Sequence, residues 1–468
     1  MFDITEKDIV SKWKSDNVVV SVCMLAFNHE DYVAEALEGV LSQNVDFKYE
    51  ILVHDDASTD GTADIIRKYA ERFPRIVKPI FQRENCWSRG INPSVFFNYP
   101  RVSGKYVAWC EGDDVWTDSL KLHIQIEVLE RHLDLDICFH LASARNYSAD
   151  SSDLYTIGHY GKKDGIIDFD DIFLRTNGMI PTAGCIVRNA VLKKLEKFMA
   201  ARPYLTCGDI YMQALGGVRG GGFFINRTMS YYRFRTQSSL TKELSLDFEK
   251  FLNHNLSSIR GCISLWRNYF PEKGVLALKK IIYKRLHWIF SRDELFCERG
   301  SVNDLIREKN IEYLYSTYLS LFDCIDGLCK ELVGKKIVIY GCGNEASILI
   351  DKLGAQSVEF VIDRDEKRLD GEFDDVSLKP FNEISKHPDA ILIVSTMYYD
   401  AEALAHQARI CGVDDCRILR MENEILALID INGVWQGEYL VEQDEVLASI
   451  SRPSGWWMGD QKGTVVVQ

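Results

Sequence analysis

The chain has 468 residues, of which 46% are hydrophobic and 26% are charged, so its length suggests about three domains with buried cores. It carries 55 lysine and arginine residues against 69 aspartate and glutamate residues, a formal charge of −14. This acidity argues against a broad nucleic-acid-binding surface, and we expect no nucleic-acid partner.

The 13 cysteines show neither disulfide nor zinc-site spacing, and many lie inside apolar runs, which predicts reduced, buried thiols. The amino-terminal residues lack the basic start and apolar core of a signal peptide. No apolar run reaches the roughly 18 residues that a membrane-spanning helix needs. We therefore expect a cytoplasmic protein and leave open a peripheral contact with the inner face of the cell membrane.

The first part of the chain alternates between β-prone and helical patterns. Residues 18–25 form a continuous apolar run, which is typical of a strand covered on both faces. Apolar residues at helical spacing follow from Tyr32 to Leu41, and Asn28 is predicted to cap that helix. Further strands are predicted at 49–54, 76–81 and 106–110. With a second helix between them, this order predicts a mostly parallel sheet with helices on both faces.

Polar clusters follow three of the predicted strands. Phe27 and Asn28 come after the first, Asp55 and Asp56 after the second, and Glu111-Gly-Asp-Asp114 after the last. Ligands of such sheets lie beyond the carboxyl ends of the strands, so we expect the clusters to converge on one crevice. Crowded carboxylates repel one another unless a cation lies among them, and these oxygen ligands suit Mg²⁺ or Mn²⁺. Taken alone, the last motif has a solvated acidic turn as its alternative.

Several motifs within residues 18–132 occur in the order and spacing of a known family. They are the run from Val20 to Asn28, Leu41-Ser-Gln43, the run from Asp55 to Thr62, Ser103-Gly-Lys-Tyr106, the run from Glu111 to Trp116 and the run from Leu120 to Gln125. With them the sequence resembles the nucleotide-binding half of an inverting family 2 glycosyltransferase with the A-type fold. The resemblance continues more weakly to about residue 240.

The resemblance implies transfer of a sugar from a nucleotide-diphosphate donor, with a UDP-sugar favoured, to a glycan or lipid-linked acceptor. Bacterial cell-surface polysaccharide or glycan synthesis is the setting that it suggests. It also assigns roles at the donor site. Asp56 would accept a hydrogen bond from the nucleotide base, Phe27 would pack against the base, and Arg89 would contact the base or a phosphate. Asp113 and Asp114 would hold the metal ion, Mn²⁺ or Mg²⁺.

Three more positions matter to the resemblance. Glu111 replaces the commoner aspartate, and its longer side chain has two readings, a contact with the donor's ribose or a bond to the metal through water. Asp209 would be the general base, although the residues alone favour a helix cap there. Arg235 stands where the family often has a histidine metal ligand. Because arginine binds phosphate better than metal, we expect Arg235 to neutralise the leaving diphosphate.

The rest of the chain changes character after residue 240. The predicted division is a catalytic domain at 1–240, a helical connector at 241–333, a Rossmann-like domain at 334–422 and a tail at 423–468. In the third part, Gly341 and Gly343 follow a strand and Asp363 ends the next one, which fits a dinucleotide-binding fingerprint. A structural or assembly module is the other reading of that part, and a homo-oligomer is left open.

The predicted fold class is therefore α/β. It combines a nucleotide-diphospho-sugar transferase A-type fold, with a mixed, mostly parallel sheet, a helical connector and a second small Rossmann-like α/β domain. Two functions other than glycosyl transfer stay open. One is an NAD-dependent oxidoreductase acting through residues 334–420, and the other is a non-catalytic nucleotide-sugar-binding protein.

Overall fold

A computed structural model of the chain shows two compact units, Met1–Val275 with Glu442–Gln468 and Leu276–Val441. The residues that it describes are 3–147, 153–176, 178–205, 207–236, 239–290, 312–341, 344–363, 371–387, 389–395, 401–414, 417–420, 426, 429, 431 and 465–466. The predicted four-part division, with boundaries after residues 240, 333 and 422, stays a prediction.

The first unit is built on one large mixed sheet. Its strands are β1 (Val18–Ala26), β2 (Lys48–Asp55), β3 (Val77–Phe81), β4 (Tyr106–Trp109), β5 (Val115–Trp116), β6 (Ile137–Asn146), β7 (Tyr155–Ile157), β8 (Gly165–Ile167), β9 (Ile186–Arg188) and β10 (Gly222–Phe234). The order across the sheet is β3-β2-β1-β4-β9-β6-β10-β5, with β7 beside β6 and β8 beside β10. A short strand at Val465–Val466 pairs with β3. The four strands from β3 to β4 run parallel, as predicted.

Burial explains why these segments form strands. Val20, Val22 and Met24 of β1 are fully buried, and so are Ile51 and Val53 of β2. A strand whose side chains are buried on both faces needs a continuous β-prone apolar run, which is the pattern in this part of the sequence. The central strands therefore form a rigid base, and their carboxyl ends lie at one edge of the sheet.

Helices cover the sheet of the first unit. They are α1 (Glu6–Val10), α2 (Val33–Leu41), α3 (Thr62–Arg72), α4 (Lys121–Arg131), α5 (Phe169–Leu174), α6 (Asn189–Ala200), α7 (Asp209–Gly217), α8 (Leu240–Leu246) and α9 (Phe248–Tyr269). The buried residues of α2 recur at helical spacing, because Val33, Ala36, Leu37 and Val40 share the face that packs on the sheet.

The second unit contains a smaller α/β sheet. Its elements are α10 (Val275–Phe290, whose first residue belongs to the first unit), α11 (Glu312–Leu332), β11 (Ile337–Tyr340), α12 (Asn344–Leu353), β12 (Val358–Ile362), β13 (Glu372–Phe373), β14 (Val376–Lys379), β15 (Ile391–Val394), α13 (Ala401–Ile410) and β16 (Ile418–Arg420). The strand order is β13-β14-β12-β11-β15-β16, and every pair except β13 with β14 is parallel. A second small sheet domain is therefore present, while its dinucleotide-binding role stays a prediction.

Two expectations from composition can be compared with the fold. Nine cysteines of the described part of the chain are free thiols, and seven of these nine are buried, as predicted. Among the helices of that same part, none is long and apolar enough to cross a membrane.

Candidate active site

The three predicted polar clusters meet at one edge of the large sheet. Two hydrogen bonds beyond the strand ends join them, from Asp56 N to Ala26 O (2.9 Å) and from Gly112 N to Leu25 O (2.8 Å). The ends of β2 and β4 therefore flank the end of β1, so the residues that follow these strands surround one crevice. This is the convergence expected for parallel strands.

Asn28 ties the first two clusters together, and the prediction that it caps α2 is wrong. The helix begins after Tyr32, without a side-chain cap. Asn28 instead adopts a left-handed conformation with φ of 54°, which asparagine tolerates better than most residues. Its Oδ1 accepts from the backbone N of Thr59 (2.9 Å), and its own N donates to Ser58 Oγ (2.9 Å). Because the side chain of Asn28 is bonded to the segment Ser58-Thr59, it does not cap the helix.

Asp56 is almost fully buried, and its carboxylate holds the loop after β3. Oδ1 accepts from Cys86 N (2.8 Å) and Oδ2 from Trp87 N (3.0 Å), while His54 Nε2 lies 3.5 Å from Oδ1. Burial raises the pKa of Asp56, but hydrogen bonds from His54 and from the two backbone amides outweigh it, and the pKa ends below its usual value. Asp56 thus fixes the loop that carries Arg89, and its contact with a nucleotide base stays a prediction.

Phe27 and Arg89 occupy different surroundings. Phe27 is partly buried directly after β1, at the edge of the crevice. Arg89 lies on a short 3₁₀ helix, Trp87–Arg89, and its Nη1 donates to Glu84 Oε2 (2.6 Å). The Arg89 side chain is 51% exposed, so this surface ion pair is weak and can be exchanged for a ligand contact.

The acidic motif is held by contacts from distant parts of the chain. Glu111 Oε2 accepts from Leu25 N (2.9 Å), and Asp113 Oδ2 accepts from Thr236 Oγ1 (2.9 Å). Asp114 is 2% exposed, and its Oδ1 accepts from the backbone N of Arg233 (3.4 Å). The end of β10 thereby fastens both aspartates to the crevice.

Burial and mutual repulsion both act on these carboxylates. Burial, followed by the charges of Asp113 and Asp209, raises the pKa of Glu111 to about 7, although the hydrogen bond from Leu25 opposes it. Burial, followed by the charges of Asp113 and Glu111, raises the pKa of Asp114 well above its usual value. Crowded carboxylates that raise one another's pKa fit a divalent cation such as Mg²⁺ or Mn²⁺. Asp113 is the more accessible of the two predicted ligands, with its side chain 16% exposed.

Arg235 follows β10 in a left-handed conformation with φ of 60°. Its guanidinium lies 5.1 Å from the ring centre of Phe234, and its buried Nε has no hydrogen-bond partner within the described part of the chain. A buried donor without a partner is costly, and an anionic ligand would satisfy it. The structure therefore leaves the Nε donor of Arg235 available, one residue before Thr236, which contacts Asp113.

Asp209 is the first residue of α7, and three groups donate to its carboxylate. Arg175 Nη2 donates to Oδ2 (2.8 Å), Ile210 N donates to Oδ1 (2.9 Å), and the Cys207 thiol also donates to Oδ1. Burial raises the pKa of Asp209, but the charge of Arg175 and the hydrogen bonds from Cys207, Arg175 and Ile210 together lower it to about 2. Asp209 is therefore ionised throughout the physiological range.

Tyr232 of β10 connects Asp209 to the acidic motif. Burial, followed by the charges of Asp114, Asp113 and Asp209, raises the pKa of the Tyr232 hydroxyl. Charges act on a common group in this way only when they lie within a short distance of it. The candidate base and the candidate metal ligands thus face the same region.

The predicted second nucleotide site lies in the other unit. Gly341 follows β11 with φ of 107°, and its N donates to Ile362 O (3.0 Å), so the turn lies beside the end of β12, where Asp363 follows. Gly343 lies outside the described residues. Gly341 and Asp363 are therefore adjacent as the fingerprint requires, and their binding role stays a prediction.

Comparison with known proteins explains the arrangement in the first unit. Residues 21–195 match the family model described as "Glycosyl transferase family 2". They form a family 2 glycosyltransferase domain. This match and the mixed sheet confirm the predicted family resemblance and fold class. Asp209 and Arg235 follow the matched range, on the continuation of the same sheet and its helices.

Curated relatives share only part of the glycosyltransferase domain. An uncharacterized protein of Mycobacterium tuberculosis is 40% identical over 121 residues, which are 26% of this chain and 34% of that protein. The Escherichia coli UDP-Glc:alpha-D-GlcNAc-diphosphoundecaprenol beta-1,3-glucosyltransferase WfaP is 30% identical over 112 residues, which are 24% of this chain and 41% of WfaP. The chain therefore spans less than half the length of either relative.

A solved structure was also found to be similar to the chain. The crystal structure of S. aureus TarS 1-349 in complex with UDP-GlcNAc has a TM-score of 0.45 and 18% sequence identity. The similarity covers 63% of this chain and 79% of that one. A TM-score at this level carries no conclusion about function.

Arg233, which the sequence analysis did not single out, also contacts the acidic motif. Its Nη1 donates to Asp113 O (2.7 Å), Nη2 contacts Glu35, and the guanidinium lies 4.9 and 5.2 Å from the ring centres of Tyr32 and Tyr231. Residues two apart on a strand share a face, so the sequence pattern alone does not distinguish Arg233 from Arg235 as a contact of the acidic motif. The left-handed conformation at Arg235 ends the alternation of side chains along β10. Arg233 therefore contacts Asp113, whereas Arg235 lies in different surroundings.

Gly112 allows the acidic motif to approach β1 closely, and this predicts the effect of Gly112→Ala. A Cβ at this position would lie 2.7 Å from His29 Nδ1 and 3.0 Å from Leu25 O. Because the backbone of β1 cannot move away, we expect Gly112→Ala to lower the free energy of unfolding by about 1–3 kcal/mol in urea titrations. Gly165→Ala is the control, since its added Cβ meets nothing within 4 Å. If Gly112→Ala and Gly165→Ala lowered the free energy of unfolding equally, the steric explanation would be contradicted.

Proposed function

We propose that this chain is a metal-dependent inverting glycosyltransferase, which moves a sugar from a nucleotide diphosphate to an acceptor hydroxyl. The observation that carries the proposal is the hydrogen bonding that brings the residues after β1, β2 and β4, with Asp113 and Asp114 among them, to one edge of the sheet. Asp113 and Asp114 would bind a cation at the diphosphate, and Asp209 would be a separate, ionised base. The family 2 glycosyltransferase domain supports this division of labour.

The donor would be a UDP-sugar. Phe27 and Asp56 lie at the ends of β1 and β2, where a ligand of a parallel sheet is expected, and they would contact the base. Arg89, on the loop that Asp56 holds, would exchange its surface pair with Glu84 for the base or a phosphate. The relative WfaP is named for a UDP-Glc donor, which supports UDP as the nucleotide.

Asp113 and Asp114 would hold Mn²⁺ or Mg²⁺, with Glu111 beside them at the donor's ribose or behind a bound water. When bound, the ion stabilises the negative charge that develops on the departing diphosphate. Thr236 and Arg233 keep the two aspartates in place through their bonds to Asp113 Oδ2 and Asp114 Oδ1. The protein thus supplies a preorganised set of oxygen ligands.

Asp209 would act as the general base. The acceptor oxygen forms a bond to the anomeric carbon from the face opposite the diphosphate, while the bond to the diphosphate breaks with its electron pair. The acceptor proton passes to Asp209, which is already ionised. A single displacement of this kind inverts the anomeric configuration and needs no covalent enzyme intermediate.

Arg235 would bind the leaving diphosphate through its guanidinium, whose Nε donor lacks a partner in the described residues. We expect Arg235→Ala to raise the donor's dissociation constant about tenfold or more, because a charge-assisted hydrogen bond contributes about 1.5–3 kcal/mol. Isothermal titration calorimetry with UDP and Mn²⁺ measures this change. Arg131→Ala, which removes an exposed guanidinium from α4, should leave the constant unchanged.

The left-handed backbone of Arg235 offers a second check on that prediction. Glycine adopts φ of 60° more easily than alanine, so Arg235→Gly removes the guanidinium and relieves the backbone. Equal losses of affinity in the Gly and Ala variants would assign the effect to the guanidinium. Affinity for UDP that stays at the wild-type value in both variants would remove Arg235 from the diphosphate site.

The acceptor would be a glycan or a lipid-linked glycan, in bacterial cell-surface polysaccharide or glycan synthesis. The acceptor named for WfaP, a sugar on diphosphoundecaprenol, supports this class. The proposal is tested by incubating the full chain with UDP-glucose, UDP-galactose, UDP-N-acetylglucosamine and GDP-mannose, with and without Mn²⁺. Nucleoside diphosphate release from one donor, dependent on the metal and giving an inverted product by NMR, is the expected result. Release from none of these and no binding would contradict it.

A further inference from the structure

Arg175 bonds both to the carboxylate of Asp209 and to Gln213, and these two bonds are called the clamp. Arg175 lies directly after α5, and its guanidinium donates twice to α7, from Nη2 to Asp209 Oδ2 (2.8 Å) and from Nε to Gln213 Oε1 (3.0 Å). Gln213 is fully buried, and its Nε2 donates to Ile180 O (3.1 Å). The clamp thus joins the first residue of α7, the next turn of the helix and the segment that leads to β9.

The backbone of Arg175 shows that this contact is maintained at a cost. The residue closes α5 in a left-handed conformation with φ of 57° and ψ of 52°, a position that glycine occupies most easily. A residue with a side chain adopts that conformation less readily than glycine does. The ion pair with Asp209 is nearly buried, since the two side chains are 17% and 16% exposed. The charge-assisted hydrogen bond of this nearly buried pair, together with the second bond from Arg175 to Gln213, offsets the backbone cost.

The titratable groups near Asp209 come from several elements, which include the segment before β9, where Cys185 lies. Arg175 faces it from the end of α5, Cys207 from the loop before α7, Glu111 from the end of β4 and Tyr232 from β10. Arg175 is the cation in this group. Burial raises the pKa of Asp209, whereas the charge of Arg175 lowers that pKa. Removing the guanidinium would leave the carboxylate buried beside Glu111, and among the described residues Cys207 and Ile210 would be its remaining donors.

We propose that Arg175 is a positioning residue for the general base, and that its clamp with Gln213 fixes the orientation in which Asp209 Oδ2 meets the acceptor hydroxyl. This inference rests on the proposed function, because it takes Asp209 as the base. Arg175 touches neither reacting group in the proposal. It acts through Asp209, by holding one oxygen of the carboxylate and by keeping the carboxylate ionised.

The first test measures the pKa of Asp209 directly and needs no substrate. The full chain is labelled with [4-¹³C]aspartate, and Asp209→Asn identifies the resonance of residue 209. With Arg175 present the pKa lies near 2, so we expect no titration of this carboxyl above pH 4. In Arg175→Met burial is no longer opposed by the cation, and the pKa should rise by at least about one unit above the wild-type value. An unchanged titration in Arg175→Met would overturn the proposal.

The second test measures turnover of the donor that the nucleotide-sugar screen identifies. Arg175→Met should lower kcat about tenfold or more and leave KM for the donor within about twofold, because a misplaced base affects the chemical step. Arg175→Lys, which keeps a cation, should recover part of kcat and part of the pKa shift. Arg219→Met is the matched control, since it breaks a surface arginine–aspartate pair with Asp136. It should change neither kcat nor the pKa of Asp209.

Folding and the proposed function are checked separately. Each variant is compared with the wild type by circular dichroism, and kcat is expressed per folded protein. If kcat per folded protein stays at the wild-type value in Arg175→Met, the role of Arg175 is structural and the proposal is wrong. If no donor is turned over by the wild type, the proposed function fails, while the carboxyl titration still decides whether Arg175 controls Asp209.

Discussion

Asp113→Asn is expected to lower kcat/KM about a thousandfold, because stabilisation of the leaving diphosphate by a metal ion contributes several kcal/mol and each 1.36 kcal/mol is about tenfold in rate. The asparagine keeps the size of the side chain and retains an oxygen for the bond from Thr236 Oγ1. It removes the negative charge on the more accessible of the two predicted ligands. Turnover and the Mn²⁺-dependent gain in thermal stability with UDP should therefore be lost together.

Two comparisons separate loss of the metal from loss of folding. Glu127→Gln removes an exposed carboxylate from α4, where it pairs with Arg131, and should leave turnover and the response to Mn²⁺ unchanged. Asp114→Ala should also abolish the Mn²⁺-dependent gain in thermal stability. Because Asp114 is 2% exposed, this variant should lose more thermal stability than Asp113→Asn. Asp113→Asn that still binds UDP more tightly with Mn²⁺ than without it would exclude Asp113 as a ligand.

Asp209→Asn is expected to lower kcat by about 10²–10⁴, the range that a general base contributes, while the donor's dissociation constant stays within about twofold. The amide cannot take the acceptor proton, but it is close in size to the carboxylate and remains at the start of α7. The carboxylate of Asp209 contacts Arg175 and Cys207, and not the residues that follow β1 and β2, which are the proposed donor contacts. Steady-state kinetics and UDP titration of the same preparation measure the two effects.

Asp171→Asn is a suitable control for that experiment, because Asp171 belongs to α5 and accepts from Thr176 Oγ1 near the surface, without contacting Asp209. It should leave kcat near the wild-type value. Retention of more than about a tenth of wild-type kcat in Asp209→Asn would remove Asp209 from the mechanism, since a lost base costs at least a hundredfold. Loss of donor affinity in step with kcat would instead assign Asp209 a role in binding.

The fold around the donor site was accessible from local sequence patterns. The parallel strands were predicted because their side chains are buried on both faces, so that the apolar pattern is continuous and easily recognised. The position of Glu111, Asp113 and Asp114 followed from the same reasoning, since residues after parallel strands must lie at one edge. The cap assigned to Asn28 was wrong because the competing partner, Ser58-Thr59, is distant in sequence.

What the sequence alone determined is the chemistry available at the strand ends, because strand order and the residue after each strand are local properties. Only the tertiary structure decided how that chemistry is held. Arg233 reaches Asp113 across 120 residues, and Arg175 reaches Asp209 across 34. No periodicity links such pairs. Their contacts depend on where α5, α7 and β10 pack, and on left-handed turns at Arg175 and Arg235 that local patterns do not predict.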